Sequence, residues 1–382
     1  METLIPRILS IKDQNIFLFG PRGTGKTTFL RQRFPHALWV DLLNPEMFRS
    51  LSARPERLME MVRAQEAGTV IIIDEVQKLP DLLEVVHSLI EEKKKWQFIM
   101  TGSSARKIKR SAADLLGGRA ISMTMHPFLA SELGARFGLH DALSNGMLPV
   151  IFGSSDKEGA LKSYVSLYLR EEVQMEGLVR NIGFFSRFME AISFSHGAVL
   201  NISNVARECE IERKVVEGYI SVLEDLLIAH RIPIFTKRAQ RATIAHPKFY
   251  YFDSGVFRAI RPAGPLDKPS EIDGAALEGL VAQQFIAWNG YTGNKNKLYY
   301  WRTRGGTEVD FVLYGPGMFM AVEVKNSAKV QSKDIDGLET FRSEYPESKT
   351  FLLYRGKDKL KMRNTFCVPV ETFLRTGIGD ML

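Results

Sequence analysis

The stretch Gly20-Pro21-Arg22-Gly23-Thr24-Gly25-Lys26-Thr27-Thr28 fits G-x-x-x-x-G-K-[ST] and follows the apolar run Ile16 to Phe19. A short apolar run bounded by glycine predicts a buried strand, and Thr28 to Arg33 predicts a helix on the other side of the loop. A glycine-rich loop between strand and helix is a phosphate cradle. Its backbone N–H groups can turn toward a polyphosphate, Lys26 can neutralise the β and γ oxygens, and the Thr27 hydroxyl can complete a Mg²⁺ shell. Residues 20–28 are therefore the expected nucleotide-binding set, with Arg22 an unusual charge in the loop that is expected to point outward.

A second run, Thr69-Val-Ile-Ile-Ile-Asp-Glu75, is β-branched and ends in two carboxylates. That is the form of a buried central strand delivering acids to its C-terminal edge. Asp74 is expected to hold Mg²⁺ through water and Glu75 to orient the attacking water. Trp96-Gln-Phe-Ile-Met-Thr-Gly-Ser-Ser104 predicts another short strand, and Ser103 at its end is the expected sensor of the γ-phosphate or water. Leu115-Leu-Gly-Gly-Arg-Ala-Ile-Ser-Met-Thr-Met125 places Arg119 just ahead of one more strand.

Together these residues resemble the AAA+ ATPases, and more closely a bacterial and archaeal group of AAA-type proteins with an uncharacterised conserved C-terminal domain. The resemblance runs through the P-loop, Asp74-Glu75, Thr101-Gly-Ser-Ser104, Gly118-Arg119 and His126-Pro-Phe-Leu-Ala-Ser-Glu132. It implies ATP with Mg²⁺ as cofactors, and a role for Arg119 as an arginine finger completed by a neighbouring subunit of a homo-oligomer. A solvated arginine at a strand start is the other reading of Arg119.

The chain has 382 residues and 45% hydrophobic content, enough for two or three domains each with a core. No apolar stretch approaches a membrane span, and the N-terminus lacks a basic region followed by a long apolar one, so the expectation is a cytoplasmic protein without a membrane partner. Cys209 and Cys367 have no CxxC or Cys/His spacing, which leaves Mg²⁺ as the only metal expected.

The net charge of +7 matters only where it is concentrated. Between Arg231 and Lys248 there are five Lys or Arg residues and no acid, a composition able to follow a phosphate backbone. It follows Asn201 to Asp225, which reads as two helices joined by a tight turn, with Val205 and Ala206 facing inward on the first and Val215, Tyr219, Val222 and Leu223 on the second. Two β-like runs, Leu227 to Phe235 and Lys248 to Phe252, then flank the basic loop. The set predicts a winged helix in which Arg213 and Lys214 meet a DNA groove while Lys237, Arg238 and Arg241 meet phosphates. A rigid docking module is the alternative. Helical segments near 157–174 and 184–195 predict a lid.

Arg261-Pro-Ala-Gly-Pro-Leu-Asp-Lys-Pro-Ser270 reads as a linker. Beyond it, Gly306-Thr-Glu-Val-Asp-Phe-Val-Leu-Tyr314, a Gly-Pro-Gly turn and Phe319-Met-Ala-Val-Glu-Val-Lys325 predict a hairpin. Pairing about a turn at Pro316 sets Asp310 opposite Glu323, and Glu323 shares a strand face with Lys325. With Glu278 on a helix from Ala275 to Trp288, and further elements near 297–303, 334–343 and 350–354, the order resembles the PD-(D/E)XK nuclease fold. That resemblance implies a metal-dependent site of Glu278, Asp310, Glu323 and Lys325, with Glu308 a rival on the same face as Asp310. The expected architecture is α/β: a P-loop AAA+ ATPase core at 1–150, a helical lid and winged helix at 151–260, and a PD-(D/E)XK nuclease-like domain at 273–382. The expected function is an ATP-hydrolysing protein acting on DNA; the alternative is a regulatory ATPase whose C-terminal modules bind protein or nucleic acid without cleavage.

Overall fold

Five parallel strands carry the P-loop. They are β1 (Asn15–Phe19), β2 (Leu38–Asp41), β3 (Val70–Asp74), β4 (Gln97–Gly102) and β5 (Ala120–Thr124), in the order β2-β3-β4-β1-β5. The computed structural model describes residues 5–104, 116–175, 181–236 and 246–379. The chain divides into two units, one of Arg7–His126 with Asp225–Leu227, the other of Met1–Pro6, Pro127–Glu224 and Ile228–Leu382.

In the first unit the inner strands β1, β3 and β4 are near-continuous buried runs, with helices α1 (Lys26–Arg33), α2 (Pro45–Ala53), α3 (Arg57–Arg63) and α4 (Leu82–Glu91) between the strands in sequence, while β5 at the edge is half-exposed. Phe17, Phe19, Val40, Ile71, Ile73, Phe98 and Met100 pack with Leu51, Val62, Val86 and Leu89 in one core. β4 lies between β1 and β3, so its C-terminal residues reach both the P-loop strand and the acidic strand.

The second unit begins with helices including α5 (Leu139–Asn145), α6 (Lys157–Ser163), α7 (Leu169–Met175) and α8 (Ile182–Ser193). Then come β6 (Ala198–Val199), α9 (Ile202–Cys209), α10 (Arg213–Asp225), β7 (Ala229–Ile232) and β8 (Lys248–Tyr251), the three strands forming a sheet β6-β8-β7. Tyr219 of α10 meets the rings of Phe185 and Phe188 of α8, each at 5.2 Å. Val216, not Val215, faces inward. The helix buries Val216, Tyr219, Ile220 and Leu223 at three- and four-residue spacing and leaves Val215 exposed. Lys237, Arg238 and Arg241, expected on a wing between β7 and β8, lie outside the described residues.

The chain continues through α11 (Ser254–Ile260) into α12 (Pro269–Tyr291), which starts earlier than the expected Ala275. Pro269 is the reason: proline suits the first helical turn, where its missing N–H has no helical acceptor to lose. The expected linker 261–270 is thus partly helical and internally tied, with Arg261 bonded to Asp267 at 3.1 Å.

A six-stranded sheet follows, made of β9 (Lys297–Arg302), β10 (Glu308–Gly315), β11 (Met318–Lys325), β12 (Lys349–Tyr354), β13 (Leu360–Met362) and β14 (Thr365–Pro369), with α13 (Asp336–Glu344) before β12 and α14 (Val370–Thr376) last. Its order is β13-β14-β12-β11-β10-β9. One face packs Val309, Val312, Ala321 and Leu352 on Leu338 and Phe341 of α13. On the other face Phe311 meets Phe285 of α12 at 5.6 Å. The hairpin register pairs Phe311 with Val322, which sets Asp310 beside Glu323 as expected. Cys209 and Cys367 are both free and buried. No described helix is long and apolar enough to cross a membrane.

Candidate functional site

The P-loop turns sharply because its glycines permit it. Gly23 and Gly25 have φ of 82° and 87°, in the left-handed region, and a side chain on Gly20 would collide with the Met125 carbonyl at the end of β5. Gly25 caps α1 without offering a side-chain acceptor, which leaves the helix start as a backbone cradle. Lys26 is buried and donates to the carbonyls of Gly20 at 2.7 Å and Pro21 at 3.3 Å, while Thr24 Oγ1 donates to the Pro21 carbonyl at 2.8 Å. Arg22 is exposed. Arg7, which belongs to no motif, reaches the carbonyls of Thr24 at 3.4 Å and His126 at 2.5 Å.

Asp74 is the centre of the site. It is 2% exposed at the end of β3, and its Oδ2 accepts from Thr27 Oγ1 at 3.0 Å. Its Oδ1 accepts from the Thr101 hydroxyl, and Thr101 Oγ1 in turn accepts from the Glu75 backbone N–H at 3.0 Å. Thr101 reaches both because β4 is the neighbour of β3 with Ile73 opposite Met100. Glu75 has φ 62° and ψ 45°, a left-handed conformation that costs a non-glycine residue about 1–3 kcal/mol and is characteristic of functional positions. Gln77 Nε2 donates to Glu75 Oε2 at 2.5 Å and to Ser103 Oγ at 3.1 Å, which ties the sensor candidate to the candidate base. A hydroxyl and a carboxylate converging within 3.0 Å, all-oxygen donors, fit Mg²⁺, and the loop fits a polyphosphate. Bound Mg²⁺ would supply charge neutralisation of the phosphates, while Thr27 and Asp74 would hold it.

Arg119 is not brought to this site. It precedes β5, at the opposite sheet edge from the loop after β1, since Asn15 pairs with Ala120 and Phe19 with Thr124. Its Nε donates to Glu91 Oε1 at 2.8 Å on the surface, where its hydrogen bond and charge hold the Glu91 carboxyl below its ordinary value. Arg213 and Lys214 are exposed at the start of α10, and Arg213 Nε donates to Glu217 at 3.0 Å.

The second unit gathers the other predicted set. Glu278 of α12, Asp310 of β10 and Glu323 with Lys325 of β11 fall in one cluster, joined by Lys248 between Glu278 and Asp310 and by the contact of Asp310 N–H with Glu323. A one-residue slip between β9 and β10, from Val309 to Val312, is a bulge at Asp310, a device that re-aims a strand side chain. Asp310 Oδ2 accepts from the Val324 N–H at 2.9 Å, and Lys325 Nζ donates to Glu323 Oε1 at 2.6 Å. Into this cluster β8 sends Lys248, expected from the acid-free basic stretch 231–248 to follow phosphates. It is instead 1% exposed. Its Nζ lies 3.0 Å from Glu278 Oε1, 2.5 Å from Glu308 Oε1 and 3.1 Å from Asp310 Oδ1. Tyr250 OH adds a hydrogen bond to Glu278 Oε1 at 2.6 Å.

Electrostatics follow the crowding. Burial, and then the like charge of Asp310, raises Glu278 to about 7 and Glu323 to about 8. Burial works against the Lys248 charge, yet Glu278, Asp310, Tyr250 and Glu308 outweigh it and hold the ammonium well above its ordinary value. The place a divalent cation would need among Glu278, Glu308 and Asp310 is taken by the Lys248 ammonium, so such an ion does not fit these residues as they stand.

Residues 12–134 match the family described as AAA domain. Residues 136–267 and 273–373 match two domains of unknown function, DUF8612 and DUF4143. Over 377 residues the chain is 23% identical to an uncharacterized protein of Mycobacterium tuberculosis and to one of Mycobacterium bovis, across 96% of this chain and 82% of each relative. Among solved structures, the ADP form of the Aeropyrum pernix ORC2 protein aligns with TM-score 0.32 and 11% identity over 71% of this chain and 88% of that one. Its ADPNP-ADP complexes align at 0.27 and 12%, over 72% and 90%. The family match, the P-loop and the paired acids define an AAA-type P-loop ATPase core in residues 12–134.

Proposed function

We propose that this protein is an ATP-hydrolysing switch of the AAA type that acts on DNA through a winged helix, containing α9, α10, β7 and β8, and a C-terminal fold of the PD-(D/E)XK kind. The observation that carries the ATPase half is Asp74 holding the hydroxyls of both Thr27 and Thr101 while Glu75 stands in a left-handed turn beside it. Lys26 would bind the phosphates, Thr27 and Asp74 would hold Mg²⁺, and Glu75, steadied by Gln77 and Ser103, would orient water. Arg119 would act only in trans, on a neighbouring subunit.

For the DNA half, the support is the exposed start of α10 with Arg213 and Lys214 and the element order of the C-terminal sheet. Binding without cleavage is favoured over cleavage by the ammonium of Lys248 among the acids. DNA retention by the wild type, weakened with a shallower salt slope in the doubly substituted Arg213→Ala, Lys214→Ala chain, tests the DNA half. Unchanged affinity and slope would remove α10 from the interface.

A further inference from the structure

We propose that Lys248 is a built-in cation that occupies the acidic pocket of the C-terminal fold in place of a divalent metal, and so keeps that fold from metal-dependent cleavage. The inference rests on the nuclease-like reading of the fold and goes beyond it by assigning the pocket its occupant.

An ammonium has three N–H donors, and here three carboxylate oxygens on two elements lie within 3.1 Å of it. Glu278 comes from α12, whereas Glu308 and Asp310 come from β10 and, two apart on the strand, share a face. The Tyr300 ring, 5.8 Å from Nζ, adds an aromatic wall. A surface salt bridge by chance would leave Lys248 wet and with one partner. Burying an ammonium is costly unless it is paired and hydrogen-bonded, and this one is 1% exposed.

The remaining acid is also engaged. Glu323 gives Oε1 to Lys325 and receives the Asp310 backbone N–H on Oε2 at 3.4 Å, so its oxygens turn toward strand partners. The ammonium engages one oxygen of each acid directly, at 3.0 Å on Glu278, 2.5 Å on Glu308 and 3.1 Å on Asp310. Lys248 and a divalent ion therefore compete for the same oxygens, and removing the ammonium leaves a pocket of acids that a cation can enter.

The test is Mn²⁺ binding to nucleotide-free full-length protein, read by loss of the free-ion EPR signal and by thermal unfolding with and without Mn²⁺. Wild type, Asp310→Asn, Lys248→Met and the double variant are compared. Wild type and Asp310→Asn should bind Mn²⁺ alike. Lys248→Met should gain one ion that stabilises it and that the added Asp310→Asn removes. A wild-type ion lost in Asp310→Asn would overturn the proposal without needing any Lys248 variant to fold, and a folded Lys248→Met chain that gains no ion would overturn it too. DNA retention by the same wild-type preparation reports separately on the DNA-binding reading.

Discussion

Thr27 Oγ1 donates to Asp74 Oδ2 across 3.0 Å, joining the first turn after the P-loop to the end of the acidic strand. The two oxygens that would share Mg²⁺ are thus preorganised, and the remaining Asp74 oxygen is fixed by Thr101 from β4.

Substitutions at the phosphate end and the water end should separate. Lys26→Ala should abolish nucleotide binding, whereas Glu75→Gln should bind ATP and lose about 10²–10⁴-fold in turnover, the range for a positioned base. Calorimetry with single-turnover kinetics checks both, and unaltered hydrolysis in either variant would refute its assigned role.

Thr101→Val keeps the shape of the side chain and strips Asp74 of a buried partner. Leaving such an acceptor unmet costs about 1–3 kcal/mol. A drop in urea stability of that size together with slower hydrolysis is expected; full stability would mean that Asp74 has other support.

Arg119 sits about one strand length from its own P-loop, on the surface beside Glu91. If it works in trans, hydrolysis per chain should rise with protein concentration in the wild type and stay flat in Arg119→Ala. A flat wild-type profile takes Arg119 out of catalysis and leaves it a surface ion pair with Glu91.

The acidic pocket sets a pH dependence. Glu278 and Glu323 rise from 4.5 to about 7 and about 8 in the fold, so the native state holds more protons than the unfolded chain between those values. Their contribution to stability is complete below 4.5 and is lost as pH climbs through 7 and 8. Buried His196 and His230, lowered from 6.5 to about 3 and about 4, act oppositely, but only as pH falls below 6.5. Urea midpoints should therefore fall between 6.5 and 8, and Glu323→Gln should shrink the fall. A midpoint that rises over that window would contradict the assignment.

Lys248→Met in metal-free buffer leaves three carboxylates around a neutral side chain. Breaking a buried pair in this way costs about 3–5 kcal/mol, and substituting Glu308 and Asp310 by their amides in the same chain should recover part of it. No recovery in a double-mutant cycle would deny the coupling.

The ATPase core was legible because its signals are local: a strand, a glycine loop and two acids at a strand end each declare themselves within nine residues. The hairpin pairing of Asp310 with Glu323 was legible for the same reason, since a tight turn fixes its register. Thr101 and Gln77 were not, because their partners depend on which strands are neighbours in the sheet. Lys248 was the hardest. It closes a stretch from Arg231 with five basic residues and no acid, and its neighbours in space, 30 to 62 residues away, are acids. Local charge predicted phosphate, and tertiary placement made it a counter-ion. Val215 illustrates a smaller effect, a helical face displaced by one residue.

The most direct test incubates labelled single- and double-stranded DNA with wild-type protein and Mg²⁺ or Mn²⁺, with and without ATP, while following phosphate release in the same tubes. ATP should be consumed while the DNA is bound and stays intact. Cleavage that disappears in Asp310→Ala would contradict this, and would establish an open metal-dependent site in spite of Lys248.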